Sequence, residues 1–296
     1  MTRHPEAWKV SAFTSRPFSG NPAGVVPDAN GLEDGYMQQA ARELNDISET
    51  VFIGAGGGGD WEYRFRYFTS SCEVDLCGHA TIAGLFVLAW SGRIRGSDGT
   101  VPLRISTRAG ILNTGLTFRR GVPVRAFLEQ PEPRTAPAPG SELAAAILGL
   151  DPGLLDPALP VGCAFTGLWA CFAPLRSVEA LSRIHVDRER IQELWPGNPD
   201  LTGIYPFAFE DASTTRGRFF VPPKFGIEED PVTGTACGAL GAFLHANARW
   251  PAAGYLKARQ GVEMGRGGEV WVERTPGGRM TAGGSACAIF RGRLLA

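Results

Sequence analysis

The chain has 296 residues, with 29 lysines and arginines against 30 acidic residues and a net charge of −1. That length exceeds the usual single core of roughly 100–200 residues, so two domains are the default expectation, with one large α/β barrel as the alternative. An apolar share of 44% and a charged share of 20% exclude disordered and fibrous classes, and with no long basic run neither nucleic acid nor a membrane surface is an expected partner.

The opening MTRHPEAWKV has no apolar signal-like stretch, and no run approaches the roughly 18 apolar residues that span a bilayer. A cytoplasmic location is the expectation. Six scattered cysteines (Cys72, Cys77, Cys163, Cys171, Cys237 and Cys287) do not read as a disulfide framework. They form no CxxC pair, and the four histidines fall in no HxH or HExxH spacing, so a zinc or iron site is not expected.

In chain order, Trp8 to Phe13 alternates like a strand, Phe18 to Pro22 reads as a turn, and Gly24 to Val26 resumes a strand. Met37, Ala40, Ala41 and Leu44 recur at helical spacing and predict a helix over 36–44 that stops near Asn45 and Asp46. Val51 to Ile53 and Trp61 to Phe68 predict a hairpin around the AGGGGD turn of 55–60, which lacks the lysine and hydroxyl of a phosphate-binding loop. An apolar helix is predicted from the CGHAT segment at 77–81 to Trp90, followed by strands over 101–107 and 111–118. QPEPRTAPAPG at 130–140, with four prolines, reads as an extended linker. Beyond it come a helix over 141–150 capped by Ser141, a second helix over 178–194, and strands around 270–272, 280–283 and 286–295.

The chain also repeats itself. Arg66-Tyr67-Phe68, an acidic stretch with Asp75 and then Gly78-His79-Ala80-Thr81 echo Arg218-Phe219-Phe220, an acidic stretch with Asp230 and then Gly234-Thr235-Ala236-Cys237. The second loop is about four residues longer. Each unit predicts a helix N-terminus opened by glycine, a place where backbone N–H groups favour an anion; the same glycines equally permit a tight strand-to-helix turn.

Four motifs follow one another in order: GNPA at 20–23, NDISETVF at 45–52, LCGHAT at 76–81 and GIEEDPVTGTA at 226–236. Together they resemble the PhzF, or phenazine biosynthesis-like, family from about residue 8 to the C-terminus. The resemblance implies an α+β fold of the diaminopimelate epimerase type. That means two pseudo-symmetric domains, each a curled, mainly antiparallel sheet around a central helix, with an active site in the cleft between them. The domains would be 1–125, joined by a returning strand at 286–296, and 126–285.

By the same resemblance the activity is a cofactor-independent isomerisation that moves a proton on a small carboxylate-bearing substrate. Glu49 would be the acid/base, with His79, Asp230 and Thr235 assisting. Threonine stands at 235 where family members more often carry serine, and its hydroxyl retains the hydrogen-bonding chemistry. Gly78 and Gly234 would present backbone N–H groups to the substrate carboxylate, and Cys77 and Cys237 would lie beside it. Taken alone, Ser48-Glu49-Thr50 could be a cap or a surface charge, His79 structural and Asp230 a turn cap.

Two other functions compete. Related epimerases of this fold use one cysteine from each domain, which makes Cys77 and Cys237 candidates; but matching Gly78 to Gly234 pairs Cys77 with Thr233 and Cys237 with Thr81. A binding protein without turnover is the other. A homodimer is the expected assembly.

Overall fold

The structure, a computed structural model, describes residues 4–44, 48–58, 60–137 and 140–295. The chain divides into two compact units, 1–129 with 283–296 and 130–282. The first break falls past 125/126 because the last strand of the first segment runs on to Glu129, held by the pairing of Leu128 with Thr114, and the second falls before 285/286, at 282/283. Both units are mixed α and β with strands predominating. Among the described residues no helix is long and apolar enough to cross a membrane.

In the first unit β1 (Glu6–Ala12) pairs antiparallel with β2 (Asn21–Val26), which lies parallel to β3 (Thr50–Ala55). Between them α1 (Asp34–Leu44) buries Met37, Ala40, Ala41 and Leu44, the face that its spacing predicts. The predicted stop at Asn45 and Asp46 lies outside the described residues. β3 and β4 (Tyr63–Phe68) form the hairpin, and β5 (Glu73–Val74) folds back onto β4. Then α2 (Gly78–Trp90) begins, followed by the antiparallel β6 (Gly99–Thr107), β7 (Gly110–Arg119) and β8 (Val122–Glu129).

In the second unit the linker expectation needs correction. Within the proline-rich segment Arg134–Pro137 is a strand, β9, pairing antiparallel with β10 (Gly162–Phe165), and residues 138 and 139 lie outside the described residues. Pro137 is tolerated there because it is the last residue of a short strand. α3 (Ser141–Leu148) is capped by Gly140, and no side chain bonds across its start, so Ser141 lies inside the first turn. Its C-terminus closes on Gly149 in the left-handed conformation, a position glycine takes without a Cβ penalty. β11 (Trp169–Pro174) follows. The helix predicted over 178–194 is instead two 3-10 segments, Val178–Arg183 and Arg188–Leu194, interrupted where the chain extends at Ile184. Its apolar residues Ala180, Leu181, Ile191 and Leu194 are buried all the same, so helical spacing reported which side faces inward without reporting a continuous helix.

β12 (Leu201–Phe209) leads to β13 (Thr214–Gly217), β14 (Phe219–Phe220) and β15 (Glu229–Asp230), and then to α4 (Gly234–Ala246). β16 (Tyr255–Gln260), β17 (Gly268–Arg274) and β18 (Met280–Gly284) follow. Finally β19 (Ala286–Arg293) pairs antiparallel with β1, which puts the C-terminal strand in the first unit.

The two units share a local design at their central helices. From Ala80 to Leu88 every residue of α2 is buried, and α4 is buried from Ala236 to Leu244. Neither has a polar face, so each must be enclosed by its own strands. Small residues allow the approach: a Cβ on Gly84 would stand 2.8 Å from the Phe65 ring, and one on Gly238 only 1.7 Å from the Gln130 amide oxygen. The strand pair before each helix also recurs. Arg66 on β4 makes a forked bond to Glu73 at 2.8 and 2.7 Å, and Arg218 makes one to Glu229 at 3.0 and 2.7 Å. The guanidinium groups lie over Phe68 and Phe220. This register makes Val74, not Asp75, the counterpart of Asp230, because Glu73 corresponds to Glu229.

Gly238→Ala should destabilise the protein by about 1–3 kcal/mol in urea unfolding through collision with Gln130, whereas Gly35→Ala, with nothing within 4 Å of the new methyl, should not. Arg66 holds the Glu73 carboxyl below its ordinary value of 4.5. The stability from this pair is therefore complete above about pH 4.5 and is lost as pH falls through the lower folded value, so Glu73→Gln should remove that part of the acid dependence of unfolding.

Candidate active site

In the first unit Glu49 precedes β3 and Cys77 is the residue before α2, so a strand start and a helix start bring the NDISETVF and LCGHAT motifs together. Glu49 Oε2 lies 3.4 Å from His79 Nε2, and the Ser48 hydroxyl lies 2.8 Å from the same nitrogen. Ser48 Oγ also stands 2.8 Å from the Pro22 carbonyl, in the GNPA motif, and 3.3 Å from Glu49 Oε2. Cys77 Sγ lies against the same ring, 3.4 Å from Nδ1 and 3.7 Å from Nε2. Glu49 and His79 are both partly exposed, at 26% and 12% of their side chains.

One proton arrangement joins three of these residues: Nε2–H donates to Ser48 Oγ, and the Ser48 hydroxyl donates to the Pro22 carbonyl. Cys77 provides no side-chain cap to α2, so its sulfur is not engaged in helix capping.

In the second unit the group forms around the start of α4. Thr233 Oγ1 donates to Asp230 Oδ2 at 2.6 Å. The fully buried Gln260 donates from Nε2 to the Asp230 carbonyl at 2.7 Å and to Thr233 Oγ1 at 3.1 Å, and its Oε1 accepts from the Thr233 N–H at 3.2 Å. Asp230 is thus held by its own motif and by β16. Thr166 Oγ1 donates to the Thr235 carbonyl, and Gln130 Nε2 donates to the Gly234 carbonyl, which tie the first turn of α4 to the residues that directly follow β10 and β8.

Cys237 is different in kind. It is fully buried one turn into α4, where its sulfur lies 3.6 Å from the Tyr205 hydroxyl and 3.7 Å from Gln260 Oε1. Burial pushes its thiol up to about 12. At the equivalent place in the first unit, Thr81 Oγ1 meets the buried Tyr67 hydroxyl at 2.7 Å. Cys237 therefore occupies the position of a helix residue that receives a core tyrosine.

Of the predicted site residues, Glu49, Cys77, Gly78 and His79 gather in the first unit, and Asp230, Gly234 and Thr235 in the second with Cys237 beneath them. Ser48 and Thr233 sit inside the recognised motifs, yet their bonding to His79 and Asp230 was not legible there. Gln260 belongs to no motif, and its 27-residue separation from Thr233 left no signal in the sequence.

The chain matches the profile of the PhzC-PhzF family, described as phenazine biosynthesis-like protein, over residues 10–292. It belongs to that family. An uncharacterised isomerase of Deinococcus radiodurans is 40% identical over 92% of this chain and 87% of its own length. An uncharacterised isomerase of Bacillus subtilis is 34% identical over 96% of each chain. The trans-2,3-dihydro-3-hydroxyanthranilate isomerase of Pseudomonas aeruginosa is 30% identical over 96% of this chain and 97% of its own. Among solved structures, a PhzF-family protein of Bacillus anthracis superposes with a TM-score of 0.85 at 29% identity over the whole of both chains. A hydroxyproline epimerase of Agrobacterium vitis, at 13% identity, covers 99% of this chain and 93% of its own with a TM-score of 0.62, a likeness of fold.

The environment of the cysteines makes a direct prediction for this PhzF-family protein. Iodoacetamide at pH 8, followed by peptide mass mapping, should label the exposed Cys72 readily, while Cys237 should react at least about 100-fold more slowly until the protein is unfolded.

Proposed function

We propose that this PhzF-family isomerase moves a proton between two carbons of a small carboxylate-bearing substrate, with Glu49 as the single proton carrier. The observation that carries the reading is the Glu49 carboxylate held 3.4 Å from His79 Nε2, with Ser48 on the same nitrogen, beside the N-terminus of a buried central helix. The carboxylate removes a proton from a carbon made acidic by its neighbour, the electron pair shifts along the substrate, and the carboxylic acid returns the proton at the far end. His79 and the Ser48 hydroxyl, itself anchored on the Pro22 carbonyl, fix the orientation of Glu49.

Asp230, oriented by Thr233 and Gln260, and the Thr235 hydroxyl supply hydrogen bonds to polar groups of the substrate in this reading. The backbone N–H groups at Gly78 in one unit and at Gly234 in the other, each the first residue of a central helix, are donors suited to a substrate carboxylate and to the enolate-like charge that develops on proton removal. A cyclic amino or hydroxy acid fits this donor set. The name of the Pseudomonas aeruginosa relative, an isomerase of a dihydro-hydroxyanthranilate, supports that class.

The two-cysteine epimerase reading is disfavoured by Cys237, whose thiol is fully buried and pushed up to about 12. A general base must be populated in its basic form near the working pH, which a thiol of that kind is not.

Proton exchange by NMR in deuterated buffer, over a panel of small cyclic amino and hydroxy carboxylic acids including dihydroanthranilate-type compounds, tests the proposal. Glu49→Gln should lower exchange or double-bond migration by about 10²–10⁴-fold, while Cys237→Ala should leave it within a few-fold of wild type. The reverse pattern would overturn the single-carboxylate reading. Tight binding with no exchange in wild type, and affinity alone altered in Glu49→Gln, would mark a binding protein.

A further inference from the structure

The two units cross over between parallel strands in different ways. In the first, the connection from β2 to β3 is the continuous helix α1, whose Asp34 accepts from Arg66 Nη1 at 2.7 Å. In the second, the connection from β11 to the parallel β12 contains the 3-10 segment Val178–Arg183, and Arg218, the counterpart of Arg66, donates from Nη1 to the Leu181 carbonyl at 2.9 Å instead. Beside that segment, wholly within the second unit, lies a cavity of about 590 Å³. Val178, Glu179, Ser182 and Ile184 form its crossover side, Arg216 on β13 and Arg218 just after it form the strand side, and Glu263, in the turn after β16, completes the lining. Asp230, Thr233, Thr235 and Gln260 do not line it.

The charged part of this lining has bonding capacity to spare. Arg66 and Arg218 each engage all three guanidinium nitrogens. Arg216 lies 2.8 Å from Glu263 Oε1 through Nη2, and among the described residues its buried Nε and the buried Glu263 Oε2 have no hydrogen-bond partner. The two side chains are only 26% and 10% exposed, so water makes up little of the deficit, and an unmet buried donor or acceptor is costly. A carboxylate alone would answer Arg216 but face Glu263 and Glu179, and an amine alone would answer the glutamates but leave Arg216 unmet. A molecule carrying both groups answers both residues, while the half-buried Val178 and the buried Ile184 offer it an apolar wall. We propose that this cavity is a binding site for small zwitterions with an apolar body, free amino acids or short peptides. The carboxylate bonds Arg216, the ammonium bonds Glu263 with Glu179 adding attraction at the exposed rim, and the apolar body rests on Val178 and Ile184. The volume falls in the range of about 300–1,000 Å³ usual for small-molecule sites. None of this rests on Glu49 being the proton carrier.

Isothermal titration calorimetry of the whole protein in neutral buffer tests the site, with L-leucine and glycyl-L-leucine as probes of the two sources. At least one should bind with a dissociation constant of about 1 mM or tighter, and the tighter of the two identifies the source. 4-Methylpentanoate, which lacks the ammonium, and 3-methylbutylamine, which lacks the carboxylate, should each bind at least about tenfold more weakly. Arg216→Gln and Glu263→Gln should each weaken binding of the better probe at least about tenfold. Ser182→Trp, at an exposed position on the rim, should block the cavity without touching the ion pair, and Glu49→Gln should leave the affinity unchanged. No binding by either probe, equal binding of the amine or carboxylate analogue, or binding that survives Ser182→Trp overturns the site. Should Arg216→Gln or Glu263→Gln fail to fold, Ser182→Trp decides by itself. Binding lost in Glu49→Gln and kept in Ser182→Trp would put the ligand at the Glu49 group and overturn the proposal, whereas failure to bind leaves Glu49 as the proton carrier untouched.

Discussion

An apolar helix with no polar face is the constraint on which the rest of the structure depends. α2 and α4 bury almost their whole lengths, so each unit must wrap strands around its helix, and only the helix ends remain to carry polar chemistry. Close wrapping demands small residues on the helices themselves, as Gly84 against Phe65 and Gly238 against Gln130 show. The same enclosure delivers one partly exposed helix N-terminus per unit. There the unsatisfied N–H groups and the positive end of the helix dipole are available, and there the motif residues gather.

The approach to each helix is built twice from the same parts. An arginine forks onto a glutamate of the next short strand and covers an aromatic ring of its own strand, in Arg66, Glu73 and Phe68 and again in Arg218, Glu229 and Phe220. The half-buried ion pair ties the short strand to its neighbour five residues before each helix begins. Past this pair the two copies diverge, and Cys77 and His79 stand where Thr233 and Thr235 stand in the second unit. One copy carries an imidazole and a thiol beside a carboxylate, and the other carries hydroxyls, an aspartate and a buried glutamine. A common scaffold thus holds two chemically unlike groups.

The cysteines show how a residue type can mislead where its environment does not. Cys77 and Cys237 both occur near a glycine that opens a central helix, which suits a pair of thiol bases. Four positions separate their places in the repeat. The first lies at the helix start, 3.4 Å from an imidazole; the second lies in the core against Tyr205 and Gln260, in the place Thr81 takes beside Tyr67. The repeat correspondence already visible in the sequence separates the two positions, and burial explains why it matters.

The sequence by itself determined the strand-rich α+β class, the inner face of α1, the β3–β4 hairpin, both central helices and the internal repeat. Each of these is written locally, in periodicity, turn residues or ordered motifs. It also named the motif residues from which the candidate site is made. Tertiary structure decided what local pattern could not carry. The 178–194 segment broke into two 3-10 pieces although its apolar spacing was helical, and the proline-rich stretch yielded β9 because β10 offered it a partner. Ser48 acquired His79 and Pro22 as partners, and Gln260 acquired Asp230 and Thr233. Contacts of that kind join residues tens of positions apart, and their geometry exists only once strands and helix have packed around a common core.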